Sequence, residues 1–447
     1  MPEGAPMSER ARQPQAHWKR RFFTIWVGQQ VSLTGSMLAG FALVWWLTRS
    51  TGSATVLAMA TLVQMLPGIV LGPFAGALVD RWNRRVVMIV ADSIIALFSA
   101  WLAYLFWAGS LQIGHVYLIM AVRSLGGAFH WPAMAASTSL MVPDEHLARV
   151  AGLNQTMNGI LNIISPPLGA LLLSLLPLHG IMAIDVGTAA LAVLPLLAIQ
   201  IPQPVRRAVP AAIPGQAQTA RPSLWADLRQ GLRFVWAWKG LRAILIMAMV
   251  INLLFNPAFA LVPILVTKHF GAGAAQLAWL NSGWGIGVVL GGLLLSTWGG
   301  FKRRIMTSMV GLIGMGVGAL VIGFTPATAF WLAFGAMAIT GAMNPLANGP
   351  MNAIFQSIVP PEMQGRVFSL ISSACSSMSP LGMAIAGPVA DAAGVQVWFI
   401  LSGIACVSMA VIGWSMSAVR NIEQNHGHAT AQEAPVPDAV GVPAQPD

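Results

Sequence analysis

Runs of about twenty consecutive apolar residues recur from Phe22 to about Ala418, and no other feature narrows the fold as far. One run of that length crosses the hydrocarbon core of a bilayer as a helix. Charged residues make up 9% of the 447 positions and the mean hydropathy is +0.71. A soluble domain carries roughly 25% charge, so most of this surface is not wet. The first 21 residues are polar and basic, and the apolar run after them is too long for the core of a secretory signal.

Placed on the sequence, the runs give twelve expected spans: Phe22–Thr48, Ala54–Val79, Val86–Trp107, His115–Val142, Arg149–Leu176 and Gly180–Ile201, then Leu241–His269, Ala274–Trp298, Arg304–Thr325, Ala327–Val359, Gly365–Ala392 and Val395–Val419. The fold class is all-α integral membrane, in two six-helix halves. Residues 1–21 form an N-terminal tail, 22–201 the first half, and 202–240 a linker with several prolines and a basic amphipathic helix from Leu224. Residues 241–419 form the second half, and 420–447 a polar tail expected to be disordered.

Cationic side chains fix the expected orientation, because loops on the cytoplasmic side carry the excess of Lys and Arg. With the N-terminus inside, 21 of the 24 fall in cytoplasmic segments, Arg49 and Lys268 fall outside, and Arg123 lies within a span. Both termini are then cytoplasmic and the chain is multi-pass. The net charge of +10 needs no nucleic-acid partner, since it marks this asymmetry. Cys375 and Cys406 both stand in apolar runs and suggest packing, with neither a disulfide nor a metal site.

The chain also repeats. Val142, Pro143, Glu145, Arg149, Val150 and Leu153 match Val359, Pro360, Glu362, Arg366, Val367 and Leu370 at an offset of 217 residues. Two halves in the same orientation describe a parallel repeat about an axis along the membrane normal.

Several motifs carry more than hydrophobicity. The loop after the second span reads Gly76-Ala77-Leu78-Val79-Asp80-Arg81-Trp82-Asn83-Arg84-Arg85. It resembles the signature loop of the major facilitator superfamily, Gly-x-Leu-x-Asp-Arg-x-Gly-Arg-Arg, although a plain cluster of inside cations would also fit. Asn83 replaces the usual Gly and tolerates φ > 0. The resemblance implies that Gly76, Asp80, Arg81, Arg84 and Arg85 latch the cytoplasmic gate; Asp80, at a helix C-terminus, needs a partner. Arg123 with Gly127 is similar to the family's Arg-x-x-x-Gly motif. A guanidinium at membrane depth faces a cavity or a partner, so Arg123 and His130, seven residues on, are the expected coupling pair; a structural salt bridge and a packing histidine are the alternatives. Ser165-Pro166-Pro167-Leu168-Gly169-Ala170 is similar to the antiporter motif Gly-Pro-x-x-Gly-Gly, with Ser165, Pro166 and Gly169 as its carriers.

Polar stripes run along the spans at helical spacing. Asn154, Asn158 and Asn162 form one ladder, and Asn344, Asn348, Asn352 and Gln356 another; Gln29 with Ser36, and Asn252 with Asn256, share faces of the first and seventh spans. The family's fold implies that these spans line a substrate cavity; bonds between helices are the alternative. It also makes the third and sixth spans peripheral, so Asp92 and Asp185 are expected in structural pairs. The cavity is then polar and uncharged apart from Arg123, with Trp and Met in its walls.

None of the four lysines precedes Ser or Thr, so no Walker A site is present. His-Glu-x-x-His and Gly-x-Ser-x-Gly are absent too, and the chain is not expected to be an enzyme. No cofactor is expected; a proton gradient is the expected energy source.

At finer grain the chain resembles the macrolide-efflux branch of that superfamily. Thr24-Ile25-Trp26-Val27-Gly28-Gln29, Leu47-Thr48-Arg49-Ser50-Thr51-Gly52-Ser53-Ala54, Met88-Ile89-Val90-Ala91-Asp92 and Arg366-Val367-Phe368-Ser369-Leu370 carry the likeness. It implies a monomeric, proton-coupled antiporter of the bacterial inner membrane that exports amphiphilic small molecules. Siderophore or metabolite export is the nearer alternative, because Arg123 and His130 suit an anion. A non-transporting sensor or scaffold is the alternative of another class.

Overall fold

The computed structural model describes residues 18–79, 81–202 and 224–423. Most of the N-terminal tail, the proline-bearing part of the linker, Asp80 and the tail from residue 424 lie outside them. All regular structure among the described residues is helical. Twelve long helices follow in order: α1 (Trp18–Thr51), α2 (Ala54–Val79), α3 (Arg84–Trp107), α4 (Ile113–Met141), α5 (Asp144–Leu175), α6 (Leu178–Ala198), α7 (Lys239–Ala260), α8 (Ala274–Trp298), α9 (Arg304–Phe324), α10 (Phe330–Ile358), α11 (Pro361–Ala393) and α12 (Val395–Ser415). A linker helix, Leu224–Ala237, precedes α7, and a last turn, Ser417–Arg420, follows α12. Eleven of the twelve are long and apolar enough to span a bilayer by composition alone. The exception is α4, 29 residues long, which carries His115, Arg123 and His130 and is the polar wall of the site described below.

The seventh span is not one helix from Leu241 to His269. It breaks at Leu261, because Pro263 has no N–H to offer the preceding turn. The chain continues as a short turn, Val262–Ile264, and a π-helical turn, Leu265–His269, closed by Phe270 N–H on Leu265 O at 3.1 Å. Elsewhere the expected boundaries hold to within a few residues, and the repeat appears in the backbone itself. Val142 and Val359 end α4 and α10 with φ/ψ of −100/130° and −90/125°. Pro143 and Pro360 then cap α5 and α11 with −58/145° and −53/140°. One turn geometry has been used twice.

The packing repeats as well. In the first half α1 packs on α6 and α5, α2 on α4, and α3 on α4 and α6. In the second half α7 packs on α12 and α11, α8 on α10, and α9 on α10 and α12. The halves meet through α2 against α11 and α5 against α8, a pair of seams that the same repeat exchanges. At the end of the bundle opposite Trp18 and Arg420, the far end, one core draws Trp45, Ala54 and Leu57 of the first half together with Leu261, Leu277 and Phe399 of the second. At the terminal end each half has its own core, around Phe22, Met88 and Leu196 or around Leu245, Met309 and Val419. The molecule is closed at the far end and parted at the end that carries Trp18 and Arg420.

Lipid offers no hydrophobic drive between helices, so close crossing relies on small residues. At Gly287 and Gly291 of α8 an added Cβ would overlap the carbonyl oxygens of Ala338 and Ala342 on α10. Gly292, one position on, has nothing within 4 Å. Gly291→Leu should therefore cost about 2 kcal/mol or more through overpacking and lower the melting temperature in detergent, while Gly292→Leu leaves it unchanged; equal melting of the two variants would contradict this packing.

Candidate functional site

The first half encloses a cavity of about 620 Å³ between α1, α3, α4 and α5, closed on its far side by Pro263, Leu277 and Asn281 of the second half. Its deepest charged group is Arg123. The Arg123 Nη1 lies 2.7 Å from Asp185 Oδ2 and its Nη2 donates to Ser36 O at 2.9 Å. Asp185, 1% exposed on α6, also accepts from Ser36 Oγ at 3.0 Å and Ser99 Oγ at 2.7 Å. Four helices thus converge on one carboxylate. The expected structural pairing of Asp185 is what the structure shows, with Arg123 as its partner, so the guanidinium presents little net charge to the cavity.

Asp92 differs from the peripheral residue expected of the third span: it lines the cavity. Its carboxylate reaches inward, where Gln29 Nε2 donates to Oδ2 at 3.0 Å. On α4, His130 Nε2 stands 3.4 Å from Asp92 Oδ1, within ion-pair range but outside hydrogen-bond geometry. That buried nitrogen has no hydrogen-bond partner among the described residues. The sequence signal was available: Asp92 and the Arg123–His130 face are each legible, but their meeting depends on how α3 rotates against α4.

Of the amides, Gln29, Asn154, Asn158 and Asn162 line this cavity together with Ser36, Ser165 and Pro166. Asn154 Oδ1 accepts from Trp26 Nε1 at 2.6 Å and ties α5 to α1. Asn162 instead donates to Asn158 O at 2.8 Å, one turn back along its own helix. Gly169 leaves room for Phe41, whose ring carbon would stand 2.8 Å from an added Cβ. Asn252 and Asn348 line a second cavity, of about 480 Å³, between α7, α9, α10 and α11. Met247, Met309, Met315 and Met351 form much of its wall, and no charged residue lines it. Asn256 donates to Asn252 Oδ1 at 2.9 Å, and Asn348 to Asn344 O at 3.1 Å; neither Asn256 nor Asn344 lines the cavity. The two ladders therefore serve separate cavities, one in each half.

In the loop after α2, Asn83 does not take up positive φ in place of glycine. It sits at φ −70° as the N-cap of α3, its Oδ1 accepting from Arg85 N at 3.1 Å and Val86 N at 3.4 Å. Arg85 donates to the carbonyls of Leu196 and Leu197 at the C-terminal end of α6, where a cation is favoured. Arg84 Nη1 donates to Ala136 O at 3.0 Å, and Arg81 is exposed. A Cβ added at Gly76 would meet nothing within 4 Å among the described residues. Asp80 lies outside the described residues.

Two repeated halves, joined at one end and parted around cavities at the other, define a membrane transporter of the major facilitator fold rather than an enzyme. Residues 14–441 match the family of transmembrane secretion effectors, and the chain belongs to that family. It is 34% identical over 407 residues to macrolide efflux protein A of Streptococcus pyogenes, covering 91% of this chain and 98% of that one. The multidrug efflux pump Tap of Mycolicibacterium fortuitum is 27% identical over 404 residues, covering 87% and 94%. Among solved structures, a bacterial homologue of the iron transporter ferroportin in its inward-facing state superposes with a TM-score of 0.67 at 13% identity, over 89% of this chain and 98% of that chain. A bacterial homologue of the lysosomal transporter Spinster, inward-facing and unoccupied, gives 0.64 at 12% identity, over 92% and 98%. These two likenesses concern the fold.

Removing one partner of a buried ion pair strands the other charge, at a cost of about 3–5 kcal/mol. Arg123→Ala should destabilise the detergent-purified protein by that order, and adding Asp185→Ala should restore most of it. A double variant no more stable than Arg123→Ala alone would show that the pair is not the unit described.

Proposed function

We propose that this protein exports amphiphilic small molecules, macrolide-like compounds among them, across the bacterial inner membrane by alternating access in exchange for protons. Its relatives that pump macrolides and other drugs along nearly their whole length support the cargo class. The distribution of Lys and Arg supports cytoplasmic termini, and the parted end is then the loading side of an exporter. Gly76 and Gly72, open on the face of α2 that continues the seam with α11, are the places where the helices would close together.

The observation that carries the proton exchange is the Asp92–His130 pair in the cavity wall. An arginine does not lose its proton in a protein, and Asp185 is already held by Arg123 and two hydroxyls. Arg123 is then a fixed scaffold, and the coupling expected of it passes to Asp92 and His130. The pair sets a carboxylate against an imidazole nitrogen that has no hydrogen-bond partner among the described residues, which gives an exchangeable proton a place in the cavity wall. Asp92 faces Gln29 from α1 and His130 from α4, while Arg123, the other charged group in this wall, is paired with Asp185. Because Asp185 neutralises Arg123, the cavity loses the surplus positive charge that favoured an anionic siderophore.

In inside-out vesicles acidified by respiration, Asp92→Asn should reduce gradient-driven drug accumulation at least about tenfold, since it removes the proposed proton carrier. Exchange of labelled for unlabelled drug across the same vesicles should persist. Wild-type accumulation by Asp92→Asn would refute the assignment of the proton to this pair.

A further inference from the structure

The seam between α2 and α11 has a regular construction that neither cavity uses. Along α11, Asp391, Gly387, Met383 and Ser379 follow one another at four-residue spacing and therefore share a face. Asp391 reaches across to the other half. Its Oδ1 accepts from the backbone N–H of Ala54 at 2.8 Å, and its Oδ2 accepts from Thr55 N at 2.9 Å and Ser53 Oγ at 2.8 Å. It thus caps the N-terminus of α2 from outside its own half, where free N–H groups and the helix dipole favour an anion. One turn along, Gly387 lies so close that an added Cβ would stand 2.7 Å from Thr55 Cα and 2.9 Å from Ala58 Cβ. Met383 is then buried with Ala58 and Leu62, and Ser379 Oγ meets Met65 Sδ at 3.9 Å. Beyond that contact the seam ends: Ser376 and Ser372 on α11 are exposed, and Gly72 and Gly76 on the matching face of α2 have nothing within 4 Å.

The other seam lacks this device. At the 217-residue offset, Ser174 of α5 stands where α11 has Asp391, and its hydroxyl returns to Leu171 O on its own helix. The N-terminus of α8 is served by Gln276, from the same half. Ser53 also keeps a local role, accepting from Val56 N at 3.3 Å, so α2 retains one resident cap when the halves part.

We propose that Asp391 is the positioning residue of the far-end gate: by capping α2 across the seam it holds the far end shut, and its release is a step of the opening that alternating access requires. This rests on the alternating-access reading above but not on any particular cargo. Ala54 and Thr55 N–H pass to water when the gate opens, so the cap is a latch of modest strength that a ligand can undo.

The test uses far-side access to the seam in intact cells. In a background with Cys375→Ser and Cys406→Ala, Leu62→Cys introduces one thiol in the middle of the seam, labelled by a membrane-impermeant maleimide. Asp391→Ala should raise the labelling rate about five- to tenfold, the scale of a lost helix cap. Asp391→Asn should give a smaller rise, and Ser174→Ala none. Gly387→Ala, which wedges the seam with Asp391 in place, should raise labelling too and stands in if Asp391→Ala fails to insert. A merely structural Asp391 would lower expression or melting temperature without changing the labelling rate of the inserted protein. Unchanged labelling in Asp391→Asn and Gly387→Ala overturns the proposal. Raised labelling in cells that export no drug would leave the latch standing and remove only the export reading.

Discussion

A polar group at membrane depth has no water to turn to, so it must find its partner inside the protein or lose several kcal/mol. Much of this structure is a set of answers to that constraint. Asp185 takes Arg123 and two serines; Asp92 takes Gln29 and faces His130. Asn162, Asn252 and Asn348 turn one hydrogen each back onto their own helix. At Asn162 and Asn348 the amide oxygen takes no partner among the described residues, which suits a wall facing a variable ligand, whereas Asn252 Oδ1 accepts from Asn256. An amide committed to a neighbouring helix, as Asn154 is with Trp26, instead fixes the spacing of α1 and α5.

The two halves share backbone and packing but not chemistry. Turn geometry and helix partners are duplicated, whereas Asp92, Arg123 and His130 line only the first cavity. In the second, methionines and phenylalanines meet four amides. Thioether side chains are flexible and polarizable, and they adapt to apolar shapes better than branched ones. On the function proposed above, such a division would separate the proton-carrying pair from the surface that accepts the bulk of an amphiphile. Both duties can then evolve without disturbing the scaffold that the repeat supplies.

Which parts of this were legible in the sequence follows from what one-dimensional spacing encodes. Span positions, the two halves and the turn at Val142–Pro143 could be read because hydrophobic length and a repeated string are local properties. The Asn ladders could be read because i, i+4 spacing places residues on one face whatever lies opposite. Asp92 was misplaced because its role depends on rotation between α3 and α4, which no single helix reveals. The same holds for Asp391, whose partners are 336 to 338 residues away. Asn83 misled for another reason: a residue that tolerates positive φ is equally suited to capping, and the start of α3 at Arg84 selected the cap. The break at Leu261 was foreshadowed by Pro263 alone, a residue that long membrane helices often absorb; here Pro132, Pro166 and Pro167 lie within unbroken helices.

The composition of the closed end bears on how such a molecule can switch at all. If ion pairs buried in hydrocarbon bridged the halves, parting them would strand charges at 3–5 kcal/mol apiece, and a single proton would not suffice to move the balance. A shift of one pKa unit between the two states supplies only 1.36 kcal/mol, so a proton switch needs a seam whose two arrangements differ by a few kcal/mol. The α2–α11 seam meets that requirement. Its cross-half bonds are one carboxylate on two backbone N–H groups and a hydroxyl at the far rim, where water can replace it, and a weak hydroxyl–thioether contact from Ser379 to Met65, with glycine, methionine and leucine contacts between them that lipid tails or cargo can partly substitute. The strong ion pair, Arg123 with Asp185, lies wholly inside one half and is not broken when the halves move apart. In the proton exchange proposed above, strong interactions within the rocking bodies and weak ones between them would let a small difference in proton occupancy choose the side on which the cavity opens.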